Sequence, residues 1–142
     1  MREIKFRAKT TVKENEKHAF NNVWVEGDLI VSKGRYYIHP RANKVNVDND
    51  VGKFIVMHEV QADTVCEYTG LKDKNGKEMY EGDIVEVTEE DEYLHLEWDE
   101  DTASFVMSGR HFELDFDSYW SYEIEVIGNI FDNPELLEGG AE

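Results

Sequence analysis

Carboxylates dominate the chemistry this sequence could support. Glu89, Glu90, Asp91 and Glu92 form one run and Asp99, Glu100 and Asp101 a second, while Glu113, Asp115 and Asp117 alternate with Phe112, Leu114 and Phe116. Oxygen ligands of this kind suit Ca²⁺ or Mg²⁺, but the calcium-loop pattern, with its central glycine and closing glutamate, is absent. A solvated strand face is the better reading, because a two-residue period turns three apolar side chains inward and three carboxylates outward. No metal site and no cofactor is expected. His18, His39, His58, His95 and His111 show no paired ligand spacing. His95, between Leu94 and Leu96, must point to the opposite face from both, which suits a surface histidine beside carboxylates better than a ligand or base. Cys66 is the only cysteine. It excludes an intramolecular disulfide and a clustered-cysteine zinc site. It has no activating base in its sequence context, and Gly-x-Ser-x-Gly is missing. No residue is nominated as catalytic, and the protein is not expected to be an enzyme.

The carboxylates gain meaning from their distribution. The chain of 142 residues has a formal charge of −17. Residues 1–77 hold 14 of the 15 basic residues against 11 acids, whereas residues 78–142 hold one base, Arg110, against 21 acids. An acidic half repels phosphate backbones, which disfavours nucleic-acid binding through that half. It suits docking on a basic surface of a host or phage protein, the three carboxylate groups above being the expected contact residues. A second expectation is a homo-oligomer in which basic and acidic surfaces of neighbouring copies meet. A third is nucleic-acid binding through the mildly basic first half, where Trp24, Tyr36 and Tyr37 stand among Lys33, Arg35, Arg41 and Lys44, the mixture of rings and cations used for single strands. The amino terminus lacks an apolar signal core and no run approaches a membrane span. A cytoplasmic protein with no membrane partner is expected.

The elements that must position these residues read as strands. Ile4, Phe6 and Ala8 alternate with Lys5 and Arg7. Val23-Trp24-Val25 and Leu29-Ile30-Val31, separated by Glu26-Gly27-Asp28, suggest a hairpin, with another reversal at Ser32-Lys33-Gly34. A strand from Arg35 to His39 is stopped by Pro40. Residues 41–53 have the composition of turns, and a strand resumes from Phe54 to Val60. Later strands are expected at Ile84–Val87, Leu94–Trp98, Ala103–Met107, Phe112–Phe116 and Ile124–Phe131, followed by a short helical tail. The expected organisation is a β-rich amino-terminal region, 1–62, and a carboxy-terminal region, 63–142, packed together with little helix.

The most specific stretch runs from Val65 to Val85. Asn75-Gly76 tolerates the positive φ angles of a tight hairpin turn, and Glu81-Gly82-Asp83 marks a second reversal into Ile84-Val85-Glu86-Val87. Two sharp reversals so close together suit a small, tightly curved barrel. This stretch, Val-Cys-Glu-Tyr-Thr-Gly-Leu-Lys-Asp-Lys-Asn-Gly-Lys-Glu-Met-Tyr-Glu-Gly-Asp-Ile-Val, resembles the signature of the YopX proteins, small phage- and prophage-encoded proteins without an assigned function. The opening Met1–Ala8 and the closing Glu125–Leu137 are similar to the ends of that family. The sequence departs from the family pattern at Lys9 and at Cys66-Glu67. The resemblance implies a mainly β protein with an SH3-like barrel, here assigned to the carboxy-terminal half, and a bacteriophage origin. It implies no catalytic or binding residues.

Overall fold

A computed structural model describes residues 3–12, 21–40, 57–88, 90–116 and 123–138. The chain divides into two units, Ile4–Glu67 and Tyr68–Glu142, the second joined by Met1–Glu3. Both are built of antiparallel strands, and the expectation of a mainly β protein holds.

In the first unit, β1 (Phe6–Lys9) pairs with β2 (Trp24–Ser32), β2 with β3 (Arg35–Pro40), and β3 with β4 (His58–Val60). The anticipated reversal at Glu26-Gly27-Asp28 does not occur: β2 runs straight through it, and Glu26 and Gly27 pair with Arg7 and Phe6. Gly27 is there for space. A Cβ on it would lie 2.0 Å from the His39 carbonyl oxygen on the neighbouring strand. The reversal expected at Ser32-Lys33-Gly34 does occur: Lys33 and Gly34, with φ angles of 52° and 76°, make the tight turn between β2 and β3. β3 ends at Pro40, one residue beyond the expected strand, with Pro40 itself paired with Gly27. Residues 54–56 of the anticipated fourth strand lie outside the described residues.

One face of this sheet carries Ala8, Ile38 and Val60, all buried, with Phe6, Val25, Leu29, Tyr36 and Val65 packed against them. The sheet curls far enough for Thr10 to bridge Val60, with the Thr11 N–H donating to the Glu59 carbonyl and the Gln61 N–H to that of Lys9. A turn of 3-10 helix, Ala62–Thr64, follows. The buried Thr64 hydroxyl donates to the Gln61 carbonyl at 2.7 Å and accepts the Lys9 N–H at 2.9 Å, which satisfies its polar group locally. β5 (Cys66–Lys72) begins in this unit, Cys66 and Glu67 pairing with Arg7 and Phe6.

In the second unit β5 continues through Tyr68 and Lys72, which pair with Tyr80 and Glu78 of β6 (Glu78–Tyr80). A five-stranded sheet follows in the order β10-β9-β8-β7-β11, comprising β7 (Asp83–Val87), β8 (Leu94–Asp99), β9 (Ser104–Ser108), β10 (Glu113–Asp115) and β11 (Ile124–Asn129). Its inner face buries Val85, Val87, Leu94, Leu96, Met107 and Ile124. Met79 of β6 belongs to the same buried cluster, and Leu71 of β5 packs against it. That answers the expectation of an SH3-like barrel in this half. The β5–β6 hairpin covers the apolar face, so the sheet need not curve round to cover itself, and neither sheet closes into a barrel.

Two buried aspartates brace the turns between the strands of the signature stretch. Asp73, 6% exposed, accepts the N–H groups of Asn75 and Lys77 on Oδ1 at 2.9 Å each, and that of Val126 on Oδ2 at 3.0 Å. Gly76, at φ 84°, completes the tip. Asp83, fully buried, accepts the Tyr80 N–H at 2.8 Å and so braces the second reversal at Gly82, where φ is 86°. A short helix, α1 (Glu135–Glu138), ends the described chain.

Candidate functional site: an acidic face with a small cavity

Strand register gathers some of the expected carboxylates and separates others. Across β10, β9 and β8 the partners run Glu113, Ser108, His95 in one row and Asp115, Val106, Glu97 in the next, with Ser104 and Asp99 in a third. Glu97, Asp99, Glu113 and Asp115 therefore share one face with His95 and Ser108, opposite the face that buries Leu94, Leu96 and Met107. Glu113 and Asp115 are exposed on an edge strand, while Phe112, Leu114 and Phe116 pack on the core, which is the alternation read from the sequence. Asp117 and Glu89 lie outside the described residues.

Glu90 and Asp91 are exposed before β8, and Glu100 and Asp101 are exposed after it. The two groups stand at opposite ends of a strand about 20 Å long. Asp99 accepts the Asp101 N–H at 2.9 Å, a local turn contact. Among the described residues no three His, Cys, Asp or Glu side chains converge as metal ligands.

Glu92 departs from its run. It is 7% exposed, its Oε1 accepting the His111 N–H at 3.1 Å and its Oε2 lying 2.9 Å from His111 Nδ1. An ionised carboxylate only accepts, so Nδ1 carries the proton in this contact. The His111 side chain, helped by the N–H groups of His111 and Arg110, holds Glu92 below the usual carboxylate range against the opposing effect of burial. Gly109 makes room: a Cβ there would fall 2.4 Å from Glu92 Oε1.

Beside this pair lies a cavity of about 190 Å³, open to solvent and lined by Glu92, Tyr93, His95, Ser108, Gly109, Arg110, Leu136 and Leu137. His95 Nε2 is 3.3 Å from Glu97 Oε2. Arg110, the one base after Lys77, donates from Nη2 to the carbonyl oxygens of Leu137 and Glu138, which places a cation on the carboxy-terminal end of α1. Sequence reasoning missed Glu97, Arg110 and the cavity. The alternation of His95 and Glu97 about Leu96 was the available signal for the first; the other two depend on where α1 docks.

The first unit carries the rings and cations. Tyr36 packs into its core, whereas Trp24 and Tyr37 lie on the opposite face by strand alternation. Arg7 and Lys9, not among the cations expected there, sit 4.8 and 5.5 Å from the centre of the Trp24 ring. Arg35 is 3.8 Å from Glu59, Lys33 is exposed in its turn, and Arg41 and Lys44 lie outside the described residues.

Two antiparallel β units, the second presenting carboxylates, and a signature stretch in which Asp73 and Asp83 brace turns, define a mainly β protein of strongly divided charge. The chain belongs to the YopX family: the family profile, described as YopX protein, matches residues 5–138. No curated protein matches the chain. Among the described residues no helix is long and apolar enough to cross a membrane.

Proposed function

We propose that this phage-type protein is a non-enzymatic interaction module, acting in the cytoplasm of a bacterial host, whose acidic face docks on a basic surface of a host or phage protein. The observation that supports this reading is the sharing of one sheet face by Glu97, Asp99, Glu113 and Asp115 in a region with a single base. Like charges so close together raise the local negative potential and speed encounter with a cationic partner. Self-association through that same face is disfavoured by the same repulsion, so a homo-oligomer would have to join unlike surfaces. Capture from nuclease-treated bacterial lysate, compared with a scrambled acidic protein of equal charge, tests the reading. A basic protein retained by the wild type and lost with Glu113→Lys/Asp115→Lys is the expected result. Equal retention by the scrambled control would overturn it.

A second reading is favoured by one observation, the flanking of Trp24 by Arg7 and Lys9 on the face that also carries Tyr37. Rings and cations in this arrangement suit single-stranded nucleic acid. It requires salt-sensitive binding to an oligonucleotide that Trp24→Ala weakens. No binding at low salt removes it.

A further inference from the structure

We propose that the cavity between α1 and the β8–β9 face is a socket for one lysine side chain of a basic protein segment. The proposal rests on the acidic-face reading and narrows it to a point of contact. Size selects the kind of guest. Pockets that enclose cofactors or drug-sized ligands hold about 300–1,000 Å³, whereas this one holds about 190 Å³. A single long side chain fits that volume, and a nucleotide does not.

The lining selects its chemistry. Leu136, Leu137 and the Tyr93 ring offer apolar surface to an alkyl stem. Carboxylates neighbour these walls, in sequence or across a strand pair. Glu90 and Asp91 precede Glu92 and Tyr93, Glu97 meets His95, Glu113 stands opposite Ser108, and Glu135 and Glu138 flank the two leucines. Against these stands one cation, Arg110, whose Nη2 is directed at the α1 carbonyls. The Glu92 carboxylate is engaged by His111 and serves as wall. An anionic guest would meet an excess of negative charge. A guest with an apolar stem and a cationic end buries the stem and keeps its head in solvent, in the negative potential of the neighbouring carboxylates, as lysine does at protein surfaces.

The test uses the full chain and two probes. In an NMR titration with Nα-acetyl-lysine-N-methylamide, the methyl signals of Leu136 and Leu137 and the ring signals of Tyr93 shift saturably. The norleucine analogue, with the stem and no charge, binds about tenfold more weakly. Equal shifts with both probes, or none with lysine, overturn the socket. Ser108→Phe and, independently, Leu136→Trp fill the cavity, their folding checked by amide spectra.

With decalysine as the second probe, either filling variant lowers affinity about tenfold while the salt dependence stays as in the wild type. Decalysine binding that is unchanged in both filled variants removes the socket and leaves the acidic face standing. Saturable lysine-amide shifts in a protein that ignores decalysine remove the acidic-face reading and leave the socket.

Discussion

The two units solve the same problem, covering the inner face of an antiparallel sheet, with different means. The second has a deep aliphatic core in which Met79, Val85, Leu94, Leu96, Met107 and Ile124 are fully buried. In the first, Ala8, Ile38 and Val60 form the buried cluster among the described residues, ringed by half-buried neighbours. Its order leans on close backbone approach at Gly27 and on the hydroxyl of Thr64. The comparison teaches where each unit is vulnerable: the first to a misplaced atom, the second to a missing acceptor in its turns. It also explains how the second unit can carry so much like charge, since its buried apolar area offsets the repulsion.

The sharpest way to break this contrast is Gly27→Ala. The new methyl would need the His39 backbone to move, a cost of about 4 kcal/mol or more. The stability read by urea denaturation should fall by that much, and amide signals from Asp28 to His39 should broaden or vanish. A loss below about 1 kcal/mol would show that the β2–β3 ladder yields easily.

In the second unit Asp73→Ala leaves three partly buried N–H groups without their acceptor and should cost about 2 kcal/mol at neutral pH. Its pH dependence follows from the carboxylate's environment. Burial alone would raise the Asp73 pKa, but the N–H groups of Val126, Lys77 and Asn75 and the Lys77 charge outweigh it and hold the group below 3.8. The contribution is therefore fully present above the unfolded value and is lost as pH falls through the lower folded one. Chemical denaturation of wild type and variant should converge from about pH 4 downward. A gap that is constant with pH would mean that packing, not charge, carries the effect.

Smaller effects refine the contrast. Thr64→Val keeps the shape but removes a donor and an acceptor, at about 1–2 kcal/mol, read by the thermal midpoint. Arg7→Ala should cost about 0.5–1 kcal/mol through the lost contact with the Trp24 ring, with a change in tryptophan fluorescence as the direct check.

Much of the second unit was legible from the sequence. Phe112, Leu114 and Phe116 alternate with acids, and Asn75-Gly76 marks a reversal, because a period of two and a positive φ leave local traces. Gly27 misled because a glycine between two acids has the look of a turn, whereas the structure uses it to admit a carbonyl from another strand. Glu92 read as one more surface acid; its burial depends on Gly109 and His111, which the chain brings to it from well along the sequence. The cavity depends on the docking of α1, and no window of residues reports that. The barrel was inferred from curvature signals in Gly82 and its neighbours, but what covers the sheet is the hairpin carrying Met79.

The contacts of Asp73 also span very different distances along the chain. One of its oxygens receives Asn75 and Lys77, two and four positions ahead, while the other receives Val126, 53 positions on. A chain emerging from the ribosome can therefore close the turn early with half of its carboxylate still hydrated. That half gives up its water only when β11 is made and docks beside β7. A single side chain thus ties the hairpin turn to the strand at the edge of the sheet.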